Sequence, residues 1–193
     1  QILSPEMSRF TQTLKESAFR EAIPLNGVFE LTPRCNFRCN MCYVRLNDAQ
    51  ACRIGRELTN EEWLAIAAQA RDAGMLYLTL TGGEVFAREG FRQLYEALCD
   101  MGFLIQILSN GSLIDETVME WLSRRPPYEL RFTLYGVSDS AYEAVCGARD
   151  GFRRVNRAVE LVTQARIPFY MVGTVVKENK DELPGMYEYA RSR

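Results

Sequence analysis

Histidine is missing from this chain altogether. Its absence removes the nitrogen ligands with which cysteines form mixed Cys/His zinc sites, so a zinc reading would have to be met by cysteines alone. Positive charge is not in excess either: 23 Lys and Arg stand against 25 Asp and Glu, for a net charge of −2. That balance leaves no basic footprint for nucleic acid, and no nucleic-acid partner is expected. No stretch approaches the roughly 20 consecutive apolar residues that a bilayer-spanning helix needs. The opening QILSPEMSRF has neither the basic flank nor the apolar core of a signal peptide. A cytoplasmic location without a membrane partner is expected. What remains is ordinary globular material: 193 residues, 47% of them hydrophobic, enough for one sizeable domain.

In a reducing compartment crowded cysteines are metal ligands or catalytic groups more often than disulfides. Three of the six cysteines fall within eight residues, Cys35-Asn36-Phe37-Arg38-Cys39-Asn40-Met41-Cys42, directly behind the apolar run Val28 to Thr32. Three thiolates that close can ligate three corners of one iron–sulfur cube and leave the fourth iron open. The alternative is a zinc knuckle with Cys52 as fourth ligand, although zinc sites usually pair their cysteines as C-x2-C at both ends. Cys52, Cys99 and Cys146 are single cysteines and read as small core or surface residues.

Along the chain, residues 1–26 form a lead-in with a helical stretch from Phe10 to Phe19 and then Pro24, and residues 27–193 form the main unit. A charged connection from Arg45 to Glu57 leads to Thr59-Asn60-Glu61-Glu62, which fits a capping box with Thr59 at the N-cap and Glu62 at N3. The helix it starts repeats Trp63, Leu64, Ile66, Ala67 and Ala70 at helical spacing and stops at Gly74. A strand from Leu76 to Leu80 runs into Thr81-Gly82-Gly83-Glu84. A helix from Phe91 to Met101 precedes the strand Phe103 to Leu108, which ends in Ser109-Asn110-Gly111. Asp115 to Ser123 gives a third helix, and Tyr128 to Leu134 a fourth strand ending Thr133-Leu134-Tyr135-Gly136. Ser138 caps a short helix to Cys146 and a longer one spans Phe152 to Ala165. A fifth strand, Phe169 to Val176, leads into a last helix from Pro184. Strand and helix alternating five times imply a parallel sheet with helices outside. Taken alone, Gly82-Gly83 and Asn110-Gly111 are each also what a tight turn looks like.

The spacing C-x3-C-x2-C behind a first strand, followed one βα unit later by LTLTGGE and then by SNG and TLYG, resembles the radical S-adenosylmethionine (radical SAM) superfamily over about residues 27–185. The resemblance implies a partial (β/α)6 barrel, of which five βα units are present. It also implies a [4Fe–4S] cluster on Cys35, Cys39 and Cys42, whose open iron chelates S-adenosylmethionine. One electron then splits the sulfonium to a 5'-deoxyadenosyl radical that takes hydrogen from a substrate. Gly82, Gly83 and Glu84 would hold the amino group of the cofactor, Gly83 by leaving room for it. Ser109 and Asn110 would meet the nucleoside, and Thr133 the carboxylate. The superfamily usually has an aromatic residue before the third cysteine, where this chain has Met41; its thioether can lie against the adenine, and the neighbouring Tyr43 is an alternative contact. At the fourth strand Tyr135 replaces the commoner acid. Arg149 is a further candidate for the carboxylate, since guanidinium suits planar anions.

The run Met41-Cys42-Tyr43-Val44-Arg45 is most similar to SPASM-type enzymes that modify peptides. Expected partners are a peptide substrate and an electron donor such as flavodoxin or ferredoxin. Two other readings stay open: a radical SAM enzyme with a small-molecule substrate such as a tetrapyrrole or cofactor precursor, and a non-enzymatic iron–sulfur electron carrier. Because the superfamily barrel has a sixth strand and its peptide-modifying members carry auxiliary clusters, the reading frame is expected to continue past Arg193. Without that strand the apolar run Phe169 to Val176 would be an open edge.

Overall fold

The computed structural model describes residues 5–44, 46, 50, 53 and 55–193. Five strands form one sheet in the order β1-β2-β3-β4-β5: β1 Asn26–Glu30, β2 Tyr77–Thr81, β3 Leu104–Ser109, β4 Glu129–Leu134 and β5 Phe169–Gly173. Every neighbouring pair is parallel, with registers such as Phe29 opposite Leu80, Ile107 opposite Leu130 and Thr133 opposite Val172. The helices are α1 Pro5–Arg20, α2 Asn60–Asp72, α3 Phe91–Asp100, α4 Glu116–Leu122, α5 Asp139–Cys146, α6 Gly151–Gln164 and α7 Leu183–Arg191. This is the expected partial barrel of five βα units. No helix among the described residues is long and apolar enough to cross a membrane.

Period-two alternation separates the two faces of the sheet. Leu78 and Leu80, Ile105 and Ile107, and Leu130 and Phe132 are buried in one core with Leu94, Leu98, Val155 and Val159 from the helices. The opposite face is polar. There Thr79 Oγ1 donates to Gln106 Oε1 at 3.1 Å and Gln106 Nε2 donates to Glu129 Oε1 at 2.6 Å. The sheet is therefore buried on one side, and its other side is the floor of an open concavity.

The capping box forms as expected. Glu62 N–H donates to Thr59 Oγ1 at 3.3 Å, and the Glu62 carboxylate accepts the Thr59 N–H at 2.8 Å, which satisfies two of the orphan donors at the start of α2. Only part of the connection from Arg45 to Glu57 is described, and Cys52 lies outside the described residues.

β2 and β3 each run one residue past the expected end, to Thr81 and Ser109, whereas β1 and β5 stop short of their apolar runs, each for a local reason. β1 stops at Glu30 as the chain turns toward the cysteine loop: the Thr32 hydroxyl donates to Glu57 Oε1 and accepts the Arg34 N–H, both at 3.0 Å, and Pro33 behind it has no N–H to offer. β5 stops at Gly173 because Asn179 captures the backbone beyond it. The Asn179 Nδ2 donates to the Thr174 carbonyl at 2.9 Å and its Oδ1 accepts the Val176 N–H at 2.7 Å. A side chain thus replaces the ladder over the last residues of the expected strand.

Candidate functional site

The cysteine loop is fastened at both flanks. On one side the last carbonyls of α5, which have no partner inside the helix, accept from it: Arg38 N–H donates to Cys146 O at 2.8 Å and Asn40 N–H to Val145 O at 3.0 Å. Phe37 is buried beside them, edge-on to Tyr142 with centroids 6.1 Å apart, and the Arg154 guanidinium lies 5.7 Å over its ring. On the other side the turn after β2 grips the residues leading into Cys35. Gly83 N–H donates to Thr32 O at 2.6 Å and Glu84 N–H to Arg34 O at 2.8 Å.

This second attachment gives the glycine pair a reason within the chain itself. A Cβ on Gly83 would stand 2.3 Å from Arg34 O and 2.8 Å from Pro33 O, and one on Gly82 would stand 2.4 Å from Thr32 O. Gly82 also holds φ +147°, where side chains are rarely accommodated. The close approach that demands glycine is between two stretches of this chain's own backbone.

Glu84 is wholly buried and acts as the brace between the turns after β2 and β3. Its carboxylate accepts from Ser109 Oγ at 2.9 Å, from the Asn110 N–H at 2.8 Å and from the Phe86 N–H at 3.2 Å. Burial pushes its pKa up to about 7, against the pull of those three donors. The Asn110 side chain is equally engaged. Its Nδ2 donates to Asn36 Oδ1 at 3.0 Å and lies 3.7 Å from Cys35 Sγ, while its Oδ1 accepts from Ser112 N–H and hydroxyl.

The result is a cleft of about 410 Å³ at the C-terminal ends of the strands. Cys35, Cys39 and Cys42 line it, with Met41 and Tyr43 from the same loop. Gly82 and Gly83, Ser109 and Asn110, and Thr133 supply the wall from the ends of β2, β3 and β4. Of the residues singled out in the sequence, two are not on this wall. Glu84 lies behind it as the brace, and Arg149 is an exposed side chain paired with Glu143 at 2.9 Å. Three residues without a role in the sequence reading belong to the site's frame. Tyr135 lines the cleft with its Oη 3.6 Å from Cys39 Sγ, Cys146 lies buried beside the cysteine loop with its carbonyl on the Arg38 N–H and its thiol next to Cys39, and Asn179 holds the Tyr135 carbonyl at 2.6 Å. The sequence marks Tyr135 only as a departure within TLYG and marks Cys146 and Asn179 not at all, because each meets its partner across a long stretch of chain.

Among the described residues no three Cys, Asp or Glu side chains gather closely enough to hold a single metal ion. A lone zinc would need its thiolates about 2.3 Å from one point, whereas a cluster takes each thiolate on a different iron. Three thiols around one cleft, beside a glycine turn and hydroxyl and amide groups, are a donor set suited to a [4Fe–4S] cluster with an adenosyl ligand next to it.

The sequence profile of the radical SAM superfamily matches residues 29–190, and the chain belongs to that superfamily. Among curated relatives it is 29% identical over 167 residues to the PqqA peptide cyclase of Rhizobium meliloti (strain 1021), covering 86% of this chain and 44% of that protein. To the sporulation killing factor maturation protein SkfB of Bacillus subtilis (strain 168) it is 25% identical over 166 residues, covering 86% of this chain and 39% of SkfB. Streptococcus suis SuiB bound to S-adenosylmethionine superposes with a TM-score of 0.70 at 18% identity, over 98% of this chain and 44% of SuiB; at that identity the likeness is one of fold. The chain spans less than half the length of these proteins.

Proposed function

We propose that this chain is the cofactor-binding unit of a peptide-modifying radical SAM enzyme, residues 27–193 forming the unit and residues 1–26 leading into it. Cys35, Cys39 and Cys42 would hold a [4Fe–4S] cluster, and S-adenosylmethionine would lie along Gly82 and Gly83, Ser109, Asn110 and Thr133. Held by these three thiolates, the cluster would supply one-electron reduction of S-adenosylmethionine and with it the radical chemistry of hydrogen abstraction from a substrate. The chain's own residues orient and shield. Exposed backbone at Gly82 and Gly83 offers hydrogen-bonding groups to an amino acid, the Thr133 hydroxyl offers a donor to a carboxylate, and Met41 and Tyr43 give a flat partner to a nucleobase. The observation that carries this reading is the convergence of the cysteine loop and three successive strand ends on one cleft, where ligands of βα barrels sit.

A peptide substrate is favoured over a small molecule by the relatives, whose names are those of a peptide cyclase and a killing-factor maturation protein. A SPASM-type architecture, a flavodoxin or ferredoxin as electron donor and a cytoplasmic location complete the reading. The test is anaerobic reconstitution with iron and sulfide, then reduction by dithionite in the presence of S-adenosylmethionine. Release of 5'-deoxyadenosine by the wild type, lost with iron in Cys39→Ala, is the expected result. A protein that takes up a cluster but leaves S-adenosylmethionine intact would be an electron carrier, and one that takes up stoichiometric zinc instead would refute the cluster.

A further inference from the structure

The three cysteines of the loop differ in what surrounds their sulfurs. Cys35 is exposed and Cys42 half-buried, whereas Cys39 is buried. The sulfur of Cys35 accepts the Phe37 N–H at 3.4 Å and lies 3.7 Å from Asn110 Nδ2. That of Cys39 lies 3.6 Å from Tyr135 Oη, with the buried Cys146 thiol beside it. These last two neighbours arrive from separate elements and are rigidly held. Tyr135 follows β4 directly; its N–H donates to the Tyr142 hydroxyl at 3.5 Å, its carbonyl accepts from Asn179 at 2.6 Å, and its ring stands 5.9 Å from that of Tyr142 at 83°. Cys146 is fully buried at the end of α5, and its carbonyl takes the Arg38 N–H of the cysteine loop.

A thiolate bound to iron carries no proton, so it can only accept; a phenol and a thiol beside it are left as the donors. We propose that Tyr135 and Cys146 set the reduction potential of the cluster by donating O–H and S–H hydrogen bonds to the sulfur of Cys39. One electron from an external reductant adds negative charge to the cluster, and donors to its sulfurs stabilise that charge and raise the potential. The phenol also comes from the strand end that lines the cofactor cleft, so the tuning group and the cleft wall are one residue. The inference rests on the reading of Cys39 as a cluster ligand. Tyr135 and Cys146 are positioning and tuning residues in it, and neither is a ligand.

The test is a redox titration of the anaerobically reconstituted protein, followed by the paramagnetic resonance signal of the reduced cluster. Tyr135→Phe removes one oxygen and keeps the ring against Tyr142; Cys146→Ala removes the second donor from another element. Each variant should keep the wild-type iron and sulfide content and shift the midpoint to more negative potential, the double variant furthest, so that at one fixed potential less cluster is reduced. A full cluster with an unchanged or more positive midpoint in both variants overturns the inference and leaves the cluster assignment standing. A wild-type protein that takes up no cluster overturns both. If one variant fails to fold, the other alone decides by the direction of its shift.

Discussion

The carboxylate of Glu84 accepts the backbone N–H of Asn110 at 2.8 Å, joining the turn after β2 to the turn after β3 where no solvent reaches. Two of the site's strand ends are therefore spaced by one buried acid, which also holds Ser109 at 2.9 Å. The acid of the Gly82-Gly83-Glu84 turn thereby fixes the distance between two walls of the cleft.

That acid should make stability depend on pH. Its folded pKa, about 7, lies above the ordinary 4.5, so between those values the folded state binds more protons than the unfolded one and stability falls as pH rises. Below pH 4.5 the contribution is fully present, and above 7 it is lost, a swing of roughly 3 kcal/mol at most. Denaturant titrations of wild type and Glu84→Gln from pH 4.5 to 8 should give a difference that shrinks as pH rises. Glu84→Gln should also be the less stable protein at low pH by about 1–3 kcal/mol, because an amide nitrogen would face the Asn110 or Phe86 N–H. Parallel curves for the two proteins would mean that Glu84 does not titrate in this window.

Asn179 makes three hydrogen bonds to backbone from a buried position, to Tyr135 O, Thr174 O and Val176 N–H. Asn179→Ala leaves all three unsatisfied and should lower unfolding free energy by on the order of 2–3 kcal/mol. Increased amide exchange at Val176 is the local signature, and an unchanged exchange rate there would place the loss elsewhere.

What the sequence made legible was whatever is decided within a few residues. The capping box of Thr59 and Glu62, the helix faces of Leu94 and Val155 and the alternation of strands and helices all depend on short-range period, and all are present. The cleft-lining residues were legible because they follow strands directly, and every strand of a parallel sheet ends on the same side. The frame behind the cleft was not. Glu84 meets Asn110, Asn179 meets Tyr135, and Cys146 meets Cys39 only through the tertiary fold, and no local period encodes such a meeting. The end of β5 was misread for the same reason, since its apolar run continues to Val176 while Asn179 takes the hydrogen bonds.

Arg149 should prove dispensable. Its side chain is 87% exposed and spends its charge on Glu143, itself half-exposed, and such pairs contribute roughly 0–1 kcal/mol. Arg149→Ala should therefore leave the unfolding free energy within about 1 kcal/mol and the S-adenosylmethionine affinity within about twofold of wild type. A tenfold or larger loss of affinity, measured by calorimetric titration, would show that the side chain leaves Glu143 to reach the cofactor.

Gly83 gives the sharpest separation between two explanations of one motif. If the glycine is there to admit a ligand, Gly83→Val should bind iron normally and lose only S-adenosylmethionine. The structure argues for a broader loss. Even the single methyl of Gly83→Ala would meet Arg34 O at 2.3 Å and the Arg34 carbonyl carbon at 2.7 Å, and these are backbone atoms that cannot swing aside. Relief requires the turn to withdraw from the strand exit, which breaks the bonds from Gly83 N–H to Thr32 O and from Glu84 N–H to Arg34 O. Both lie in the three residues before Cys35, so the first of the proposed ligands loses its anchor together with the cleft wall. Gly83→Ala should thus reduce iron uptake on reconstitution as well as cofactor binding, and lower stability by a few kcal/mol, on the order of 2–4 for overpacking against backbone with loss of two hydrogen bonds. Iron content, unfolding free energy and S-adenosylmethionine affinity measured on the same preparation decide it, and intact iron and stability with affinity alone abolished would restore the ligand explanation.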